Sequence, residues 1–319
     1  MNRRTRLLVG LLTFLPRPEA PSPAYLARVR TELPPPLARL FLGPVAPGVE
    51  LTDITVPVGD TLIKARVYRP RDRPDPLPLV VNFHGGGFVY GNLTAADWLC
   101  GNLAARADVA VVSVDYRLAP EHPAPTPFED CWAATRWAIA HATELRVDPA
   151  QVTVMGESAG GNLAALVALA ARDQQRTDPE APRLVRQILI YPATDLTLSS
   201  ASVTELADGP LLRRSSLDWY GRCYLPQDRP DAIGGDDPRV SPLLAPDHGD
   251  LPPTLVIAGG QDPLRDDALR YVDALRAAGV EVRSVLYPEA IHGFVSIPLF
   301  EPDAGAALDE IVAELTTSH

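Results

Sequence analysis

The chain has 319 residues, of which 46% are hydrophobic and 22% are charged, and this composition is typical of a globular protein with one main domain and a full hydrophobic core. Its formal net charge of −11 at pH 7 argues against nucleic acid and anionic membrane surfaces as partners, because both would repel it. The three widely spaced cysteines, Cys100, Cys131 and Cys223, predict free buried thiols in a reducing, cytoplasmic setting, and neither a disulfide framework nor a metal site.

The N-terminal segment begins with the basic residues 1–6 and continues with an apolar run at residues 7–15. A secretory signal peptide has the same order of charge and hydrophobicity. However, residues 16–19 read Pro-Arg-Pro-Glu, where a signal peptide would have small residues for cleavage. The apolar run is too short to span a bilayer, so we expect a helix of the mature protein, and a signal peptide is the alternative.

From about residue 50 onward, strand-like and helix-like runs alternate. This order predicts an α/β domain at residues 50–319, with a mostly parallel eight-stranded sheet and helices on both faces. The strand-like runs lie near residues 50–57, 61–69, 77–83, 109–115, 151–155, 185–191, 253–259 and 280–287. The helix-like runs lie near residues 94–107, 127–143, 159–172, 265–278 and 303–316. Residues 195–250 are rich in Pro, Asp and Gly, with one helix-like piece near 215–224, and predict an insertion over the carboxyl edge of the sheet.

A glycine-rich motif, His84-Gly85-Gly86-Gly87-Phe88, follows the strand-like run at residues 77–83. Glycines leave the backbone N–H groups unshielded, so a negatively charged oxygen is able to approach them closely. We therefore interpret the motif as a loop that binds an oxyanion, and a flexible turn after a strand is the alternative.

A proline-rich loop at residues 115–123 follows the strand-like run at 109–115. We expect this loop to be structural and to line the site, because its prolines restrict the backbone. Within it, Arg117 and Glu121 are candidates for an ion pair, and Tyr116 is expected to be an ordinary core aromatic.

The pattern Gly-x-Ser-x-Gly occurs at Gly156, Ser158 and Gly160, between the strand-like run at 151–155 and the helix-like run at 159–172. A sharp turn at such a junction holds a serine hydroxyl clear of the backbone and ready to attack a carbonyl carbon. Side chains two positions away on either side would collide in this turn, and the two glycines remove those collisions. The pattern therefore predicts Ser158 as a nucleophile.

A nucleophilic serine needs a base, and in the fold implied by this turn the chain order is serine, then an acid, then histidine. We predict His292 as the base, because it follows the strand-like run at 280–287 through a short loop at 288–291, at the strand end where such sheets place ligand chemistry. The histidines before Ser158 have the wrong order, His248 follows no strand, and His319 is the terminal residue. The full set is His84, His122, His141, His248, His292 and His319.

We predict Asp262 as the acid that orients the base. It is the first carboxylate after the strand-like run at 254–260, and this position is nearest the strand end. Because Pro263 follows it, Asp262 is also a good N-cap for a helix, and a carboxylate is able to fill both roles. Asp266 is the second candidate for the acid.

With these residues in place, the chain resembles the hormone-sensitive-lipase family of α/β-hydrolases, in its bacterial esterase branch. The matching segments occur in the family's order from about residue 75 to the C-terminus. They are His84-Gly85-Gly86-Gly87, residues 115–123, residues 156–162, Tyr191-Pro192, residues 262–266 and His292-Gly293-Phe294.

The resemblance implies an α/β-hydrolase fold with a helical cap and a triad of Ser158, Asp262 and His292. It also implies that residues 1–49 are an N-terminal cap segment, since related esterases carry one. The oxyanion donors implied by the resemblance are the N–H groups of Gly86, Gly87 and Ala159, with His84 and Gly85 as support for their loop. Two residues depart from the usual pattern: Glu157 replaces Asp or Thr, and Asp267 replaces Glu.

The expected activity is that of a serine carboxylesterase acting on small-molecule esters with short- to medium-length acyl chains, with no metal or organic cofactor. A small-molecule amidase and an interfacial lipase are alternatives, because the same triad suits related acyl transfers. A non-catalytic ligand-binding receptor is a remote alternative, because the fold hosts several roles. The resemblance makes a homodimer plausible, and no stable membrane association is expected.

Overall fold

The computed structural model describes residues 22–31, 38, 41–228, 230 and 232–317, and eight strands within them form a single sheet. The strands are β1 (Val49–Val58), β2 (Thr61–Pro70), β3 (Leu77–Phe83), β4 (Ala110–Asp115), β5 (Val147–Glu157), β6 (Leu184–Ile190), β7 (Thr254–Gln261) and β8 (Val282–Ile291). Their order across the sheet is β1-β2-β4-β3-β5-β6-β7-β8. Only β1 with β2 and β2 with β4 pair antiparallel, so the mostly parallel sheet that the sequence predicts is confirmed.

Helices occupy the connections between the strands, as the alternation predicts. In the described part of the chain they are α1 (Pro23–Val29), α2 (Leu93–Ala107), α3 (Thr126–Ala140), α4 (Ala142–Leu145), α5 (Ala159–Thr177), α6 (Ala201–Glu205), α7 (Arg214–Tyr224), α8 (Arg265–Ala277) and α9 (Asp303–Thr316). Short 3₁₀ turns lie at Pro242–Leu244 and Phe294–Ser296. None of these described helices combines the length and the apolar character needed to cross a bilayer.

The sheet separates two buried clusters because successive side chains of a strand point to opposite faces. In β3, Leu79 and Val81 belong to one cluster, whereas Val80 belongs to the other. Residues of α3 and α5 complete the first cluster, and residues of α2 and α9 complete the second. The central strands are therefore apolar on both faces, as expected for parallel strands covered by helices.

Two strand boundaries differ from the sequence prediction. The loop predicted at residues 288–291 is wrong, because β8 continues to Ile291, which pairs with Gln261 after an irregularity in the register. The sheet tolerates Pro288 at this point because β8 is an edge strand, where a missing N–H donor costs little. Likewise, β5 begins at Val147, four residues before the predicted start at 151, and its pairing with β3 contains a bulge.

The insertion at residues 195–250 packs against the loops at the carboxyl ends of the strands. Tyr224 of α7 stacks on Phe88 of the glycine-rich loop, with ring centroids 3.8 Å apart. Trp219 of α7 contacts Tyr25 of α1 edge to face at 6.1 Å, so the described N-terminal helix meets the insertion. The cap helix predicted at residues 7–15 lies outside the described residues.

The ion pair considered for Arg117 and Glu121 is wrong. Arg117 instead bonds through its guanidinium and its backbone N–H to Asp130 of α3, whose side chain is completely buried. Glu121 accepts two hydrogen bonds of 2.9 Å from Arg30, which follows α1. Arg30 also donates to backbone carbonyls of the two neighbouring loops. Each arginine therefore ties the loop at 115–123 to a different element.

We predict that Arg117→Leu lowers the free energy of unfolding by about 2 kcal/mol, because it leaves the buried Asp130 carboxylate without its cation. Urea denaturation followed by circular dichroism measures the change. The double variant Arg117→Leu/Asp130→Leu should recover part of the loss. As a control, Arg239→Leu removes an exposed pair with Asp237 and should leave the urea midpoint unchanged. An Arg117→Leu protein as stable as the wild type would contradict the argument.

Candidate active site

Ser158 lies in a sharp turn between the end of β5 and the start of α5. Its backbone angles are φ 57° and ψ −117°, a strained region for a residue with a side chain. The N–H of Ser158 donates to the carbonyl of Ile190 at 2.9 Å, at the end of the neighbouring strand β6. This bond helps to hold the strained turn, which places the serine side chain at the carboxyl edge of the sheet.

The glycines around Ser158 allow the turn to close tightly. A side-chain carbon at Gly156 would overlap the carbonyl of Gly160, and one at Gly160 would overlap the carbonyl oxygen of Phe83 at the end of β3. Both obstacles are backbone atoms, which are unable to rotate away. The turn is therefore pressed against the end of β3, from which the glycine-rich loop departs.

The structure brings the predicted nucleophile, base and acid together. Nε2 of His292 lies 2.9 Å from Oγ of Ser158, and Nδ1 lies 2.8 Å from Oδ2 of Asp262. The Asp262 side chain is completely buried and that of His292 is 11% exposed. Both distances are those of hydrogen bonds, so the three side chains form one continuous hydrogen-bonded chain, which is the arrangement that the sequence predicts for a nucleophile, a base and an acid.

Asp262 and Asp266 take different roles in the structure. The N-cap residue of α8 is Leu264, so the prediction of Asp262 as that N-cap is wrong. Instead, Oδ1 of the Asp262 carboxylate accepts a hydrogen bond from the backbone N–H of Leu264 at 2.8 Å, and Oδ2 of Asp262 faces His292. Asp266, the second candidate for the acid, bonds to the N–H of Ser202 and to the side chain of Arg265.

The residue that departs from the family pattern in α8, Asp267, ties this helix to the insertion. Its carboxylate is completely buried, accepts the backbone N–H of Asp195 and contacts the hydroxyl of Ser200. Burial raises the pKa of Asp267 to about 7. The helix that follows Asp262 is thus fixed to the start of the insertion.

The glycine-rich loop runs beside the nucleophile. A side-chain carbon at Gly85 would lie 3.5 Å from Cβ of Ser158. Gly86 and Gly87 have φ values of +123° and +61°, which favour glycine over any residue with a side chain. Ala159 begins α5, and the first N–H groups of a helix have no partner within it. The N–H groups predicted as oxyanion donors therefore belong to two segments that meet at Ser158.

His84 supports this loop from below. It is completely buried, its Nδ1 lies 2.8 Å from the carbonyl oxygen of Gly85, and its ring stacks on Tyr116 at 4.3 Å. Burial lowers the pKa of His84, so the ring is neutral at neutral pH. Tyr116 is buried as expected, and its hydroxyl also donates to the carbonyl of His84 at 2.8 Å. The aromatic thus helps to fix the loop as well as filling the core.

The sequence analysis named Tyr191 and Glu157 as parts of the family pattern but did not predict a role for them or for Ser296 near His292. The ring of Tyr191, which follows β6, lies 4.9 Å from the ring of His292. Its hydroxyl donates to Glu157 at 2.7 Å, and the hydroxyl of Ser296 donates to the same carboxylate at 2.5 Å. The position of Tyr191 at a strand end was the only signal in the sequence for these contacts, since hydrogen bonds between distant segments leave no local pattern.

A second missed residue, Tyr220 of α7, lies over the glycine-rich loop. A side-chain carbon at Gly87 would come 2.5 Å from Cγ of the Tyr220 ring. The hydroxyls of Tyr220 and Tyr90 are 2.5 Å apart. The insertion therefore places the aromatic ring of Tyr220 next to Gly87, one of the predicted oxyanion donors.

Comparisons with known proteins identify the fold family of the chain and the kind of enzyme it is similar to. A family model described as alpha/beta hydrolase fold matches residues 80–296. The carboxylic ester hydrolase LipN of Mycobacterium tuberculosis is 41% identical over 84% of this chain and 70% of its own length. The ethyl acetate hydrolase of Pseudomonas putida is 36% identical over 82% of this chain and 80% of its own length. Among solved structures, an ester hydrolase from the metagenome of Lake Arreo, in complex with a bipyridine phosphonate derivative, superposes with a TM-score of 0.88 at 35% identity, over 99% of this chain and 98% of that one.

We predict that Gly160→Ala lowers kcat/KM for an ester substrate by more than about 100-fold, because the added carbon forces the turn away from β3 and displaces Ser158. Steady-state kinetics measures the loss. Gly305→Ala is the matched control, because Gly305 lies within α9 with no atom within 4 Å of the added carbon. That variant should keep full activity and gain about 0.5–1 kcal/mol of stability. Equal activity in the two variants would show that the turn is not tightly packed.

Proposed function

Because this chain belongs to the alpha/beta hydrolase fold family and is a carboxylic ester hydrolase, we propose that Ser158, His292 and Asp262 are its catalytic triad. The observation that carries the proposal is the pair of distances at His292, 2.9 Å to the Ser158 hydroxyl and 2.8 Å to the Asp262 carboxylate. A base within hydrogen-bond reach of both groups is able to take a proton from one while the other holds its orientation.

In the proposed reaction, Oγ of Ser158 attacks the ester carbonyl carbon as Nε2 of His292 takes the hydroxyl proton. Asp262 keeps Nδ1 of the imidazole protonated and stabilises the imidazolium that forms. His292 then gives the proton to the leaving alcohol, and an acyl-enzyme remains on Ser158. Water attacks this ester with His292 again as the base, and the carboxylic acid leaves.

The N–H groups of Gly86, Gly87 and Ala159 are proposed to stabilise the oxyanion of each tetrahedral intermediate. One such donor is worth roughly 2.7–4 kcal/mol in comparable enzymes. The proposal is supported by the positive φ values of the two glycines and by the position of Ala159 at the start of α5, where the helix dipole favours negative charge. His84 and Gly85 support the loop without contacting the substrate.

We propose that residues 1–49 and the insertion at 195–250 form a cap over the catalytic domain at 50–319. Contacts from two parts of the chain support this arrangement. Tyr25 packs on Trp219 of α7, and Arg30 bonds to Glu121 and to the carbonyl of Val89 beside the glycine-rich loop. Described parts of both segments thus lie over the same loops.

Short- to medium-chain acyl esters are the proposed substrates. The Tyr220 ring limits the space above Gly87, and its hydroxyl is held by Tyr90 at 2.5 Å. A rigid aromatic wall beside the oxyanion donors favours small acyl groups on steric grounds. The name of the ethyl acetate hydrolase relative supports the same size class.

A cytoplasmic location and a homodimer stay predictions for this enzyme. The location is supported by the free thiols of Cys100, Cys131 and Cys223, all of them buried, since a reducing compartment preserves such thiols. The homodimer rests on the family resemblance alone.

We predict that Ser158→Ala lowers the turnover of p-nitrophenyl butyrate by at least about 10⁴-fold, because the nucleophile of the acyl-enzyme is lost. The same variant should not be labelled by a fluorophosphonate, as read from the intact mass. Ser284→Ala, on the edge strand β8, is the control and should react like the wild type. Undiminished labelling of Ser158→Ala would falsify the assignment of the nucleophile.

We predict that Tyr220→Ala raises the ratio of kcat/KM for p-nitrophenyl decanoate to that for the butyrate by roughly tenfold, because it removes the ring above Gly87. An acyl-chain panel from acetate to palmitate measures the ratio. Tyr220→Phe keeps the ring and loses the contact with the Tyr90 hydroxyl, so its ratio should stay near that of the wild type. If Tyr220→Ala leaves the chain-length profile unchanged, this residue does not bound the acyl site.

A further inference from the structure

Glu157 is a buried carboxylate that the proposed mechanism does not use. It is the last residue of β5, directly before Ser158, and is 6% exposed. One of its oxygens, Oε2, accepts hydrogen bonds from the hydroxyls of Tyr191 and Ser296 at 2.7 and 2.5 Å. A carboxylate oxygen has two acceptor sites, and these two hydroxyl donors fill those of Oε2.

The two hydroxyl donors are close to His292, Tyr191 in space and Ser296 along the chain. Tyr191 places its ring 4.9 Å from the ring of His292, at an interplanar angle of 58°. Ser296 ends the 3₁₀ turn at Phe294–Ser296, directly after the segment that carries His292. Glu157, directly before Ser158, is therefore hydrogen-bonded to a residue whose ring contacts His292 and to a residue four positions after His292.

The backbone of Tyr191 restricts the position of its side chain. Its φ of +36° lies in the left-handed region, which is uncommon for a residue with a side chain. Its backbone N–H donates to the carbonyl of Ile257 in β7 at 2.6 Å. Burial, followed by the charge of Glu157, raises the pKa of Tyr191 well above its usual value, so the phenol keeps its proton and donates. Backbone and hydroxyl together set the position of the ring against the imidazole.

We propose that Glu157 is a positioning residue for His292, which it holds through Tyr191 and Ser296 while its negative charge favours the imidazolium formed during catalysis. This inference rests on the proposed function, since it requires His292 to be the base. Asp262 would then act on the imidazole from the Nδ1 side and Glu157 from the side of the Tyr191 ring.

Glu157 has other titratable groups around it among the described residues. Its side chain passes the glycine-rich loop, where a carbon at Gly85 would lie 3.3 Å from Cγ of Glu157. Burial lowers the pKa of His84 and raises the pKa of Cys100, Tyr116 and Tyr191, so all four groups are neutral at neutral pH. Besides the proposed effect on His292, the Glu157 charge acts on His84, Cys100, Tyr116 and Tyr191. The other carboxylates nearby are Asp115, 3.9 Å from Nε2 of His84, and Asp262 at the base.

The test is Glu157→Gln, which keeps the size and an acceptor oxygen but removes the charge. We expect kcat for p-nitrophenyl butyrate on the pH plateau to fall about tenfold, because the imidazolium loses part of its stabilisation. The acidic limb of kcat/KM should move about 0.5–1 pH unit lower, because protonation of the base becomes less favourable when a nearby negative charge is removed. KM should stay within about twofold, since Glu157 does not contact the substrate.

Two further variants separate charge from position. Glu157→Asp keeps the charge but shortens the reach, so kcat should fall while the acidic limb stays where it is in the wild type. Tyr191→Phe keeps the ring and loses its bond to Glu157. If Glu157 acts through Tyr191, the losses of kcat in Glu157→Gln and Tyr191→Phe should not multiply in the double variant.

Glu314→Gln is the matched control, because Glu314 is another buried carboxylate, paired with Arg186 on the opposite side of the domain from the carboxyl edge. It should lower the melting temperature without moving the acidic limb. A folded Glu157→Gln enzyme with kcat within twofold of the wild type and an unmoved acidic limb would overturn the proposal. If Glu157→Gln does not fold, Tyr191→Phe/Ser296→Ala removes both donors, and an unchanged kcat in that variant would overturn it equally.

The failure of this inference is distinguishable from a failure of the proposed function. If Ser158→Ala still turns over substrate or is still labelled by the fluorophosphonate, the triad itself is wrong. If Ser158→Ala is inactive and unlabelled and the Glu157 variants behave like the wild type, only the positioning role is wrong.

Discussion

The contact between the serine turn and the end of β3 is the constraint on which the rest of the site depends. Gly160 meets the carbonyl of Phe83 so closely that no side chain fits between them. Ser158 keeps its strained backbone because this contact and the bond from its N–H to Ile190 hold it from two neighbouring strands. Since the glycine-rich loop leaves from the end of β3, the same contact sets the distance between Ser158 and the N–H groups proposed as oxyanion donors.

Charge is placed asymmetrically around the base. Asp262 lies against Nδ1 of His292, Glu157 bonds to the hydroxyl of Tyr191, whose ring contacts His292, and His84 below the glycine-rich loop is kept neutral by burial. Negative charge near the imidazole favours its protonated form. A neutral ring below the loop avoids placing a second titrating group beside the donors. Burial keeps His84 neutral, whereas Asp262 and Glu157 lie close to His292 directly or through Tyr191, so these ionisable side chains differ in their effect on the site.

Most of the fold follows from local patterns in the sequence. Apolar runs of strand length that alternate with helical runs are sufficient to predict the strands of the sheet, most clearly the central ones, which are buried on both faces. The boundaries are less predictable, as β8 shows. Pro288 reads as the end of a strand, but the strand continues because it lies at the edge of the sheet. Partners of charged residues are less predictable still, since Arg117 bonds to Asp130 and Glu121 to Arg30.

The sequence by itself determined the order of the elements and the identity of Ser158, Asp262 and His292 as candidates, because glycine spacing, strand ends and chain order are local or one-dimensional properties. Tertiary structure alone decided which carboxylate faces the imidazole of His292. It also decided that Tyr191 bonds to Glu157 and that Tyr220 lies over Gly87. The physical reason is that these contacts join segments far apart in the chain. Their geometry depends on how strand ends and the insertion pack in space, and hydrogen bonds across such distances leave no periodic trace in the sequence.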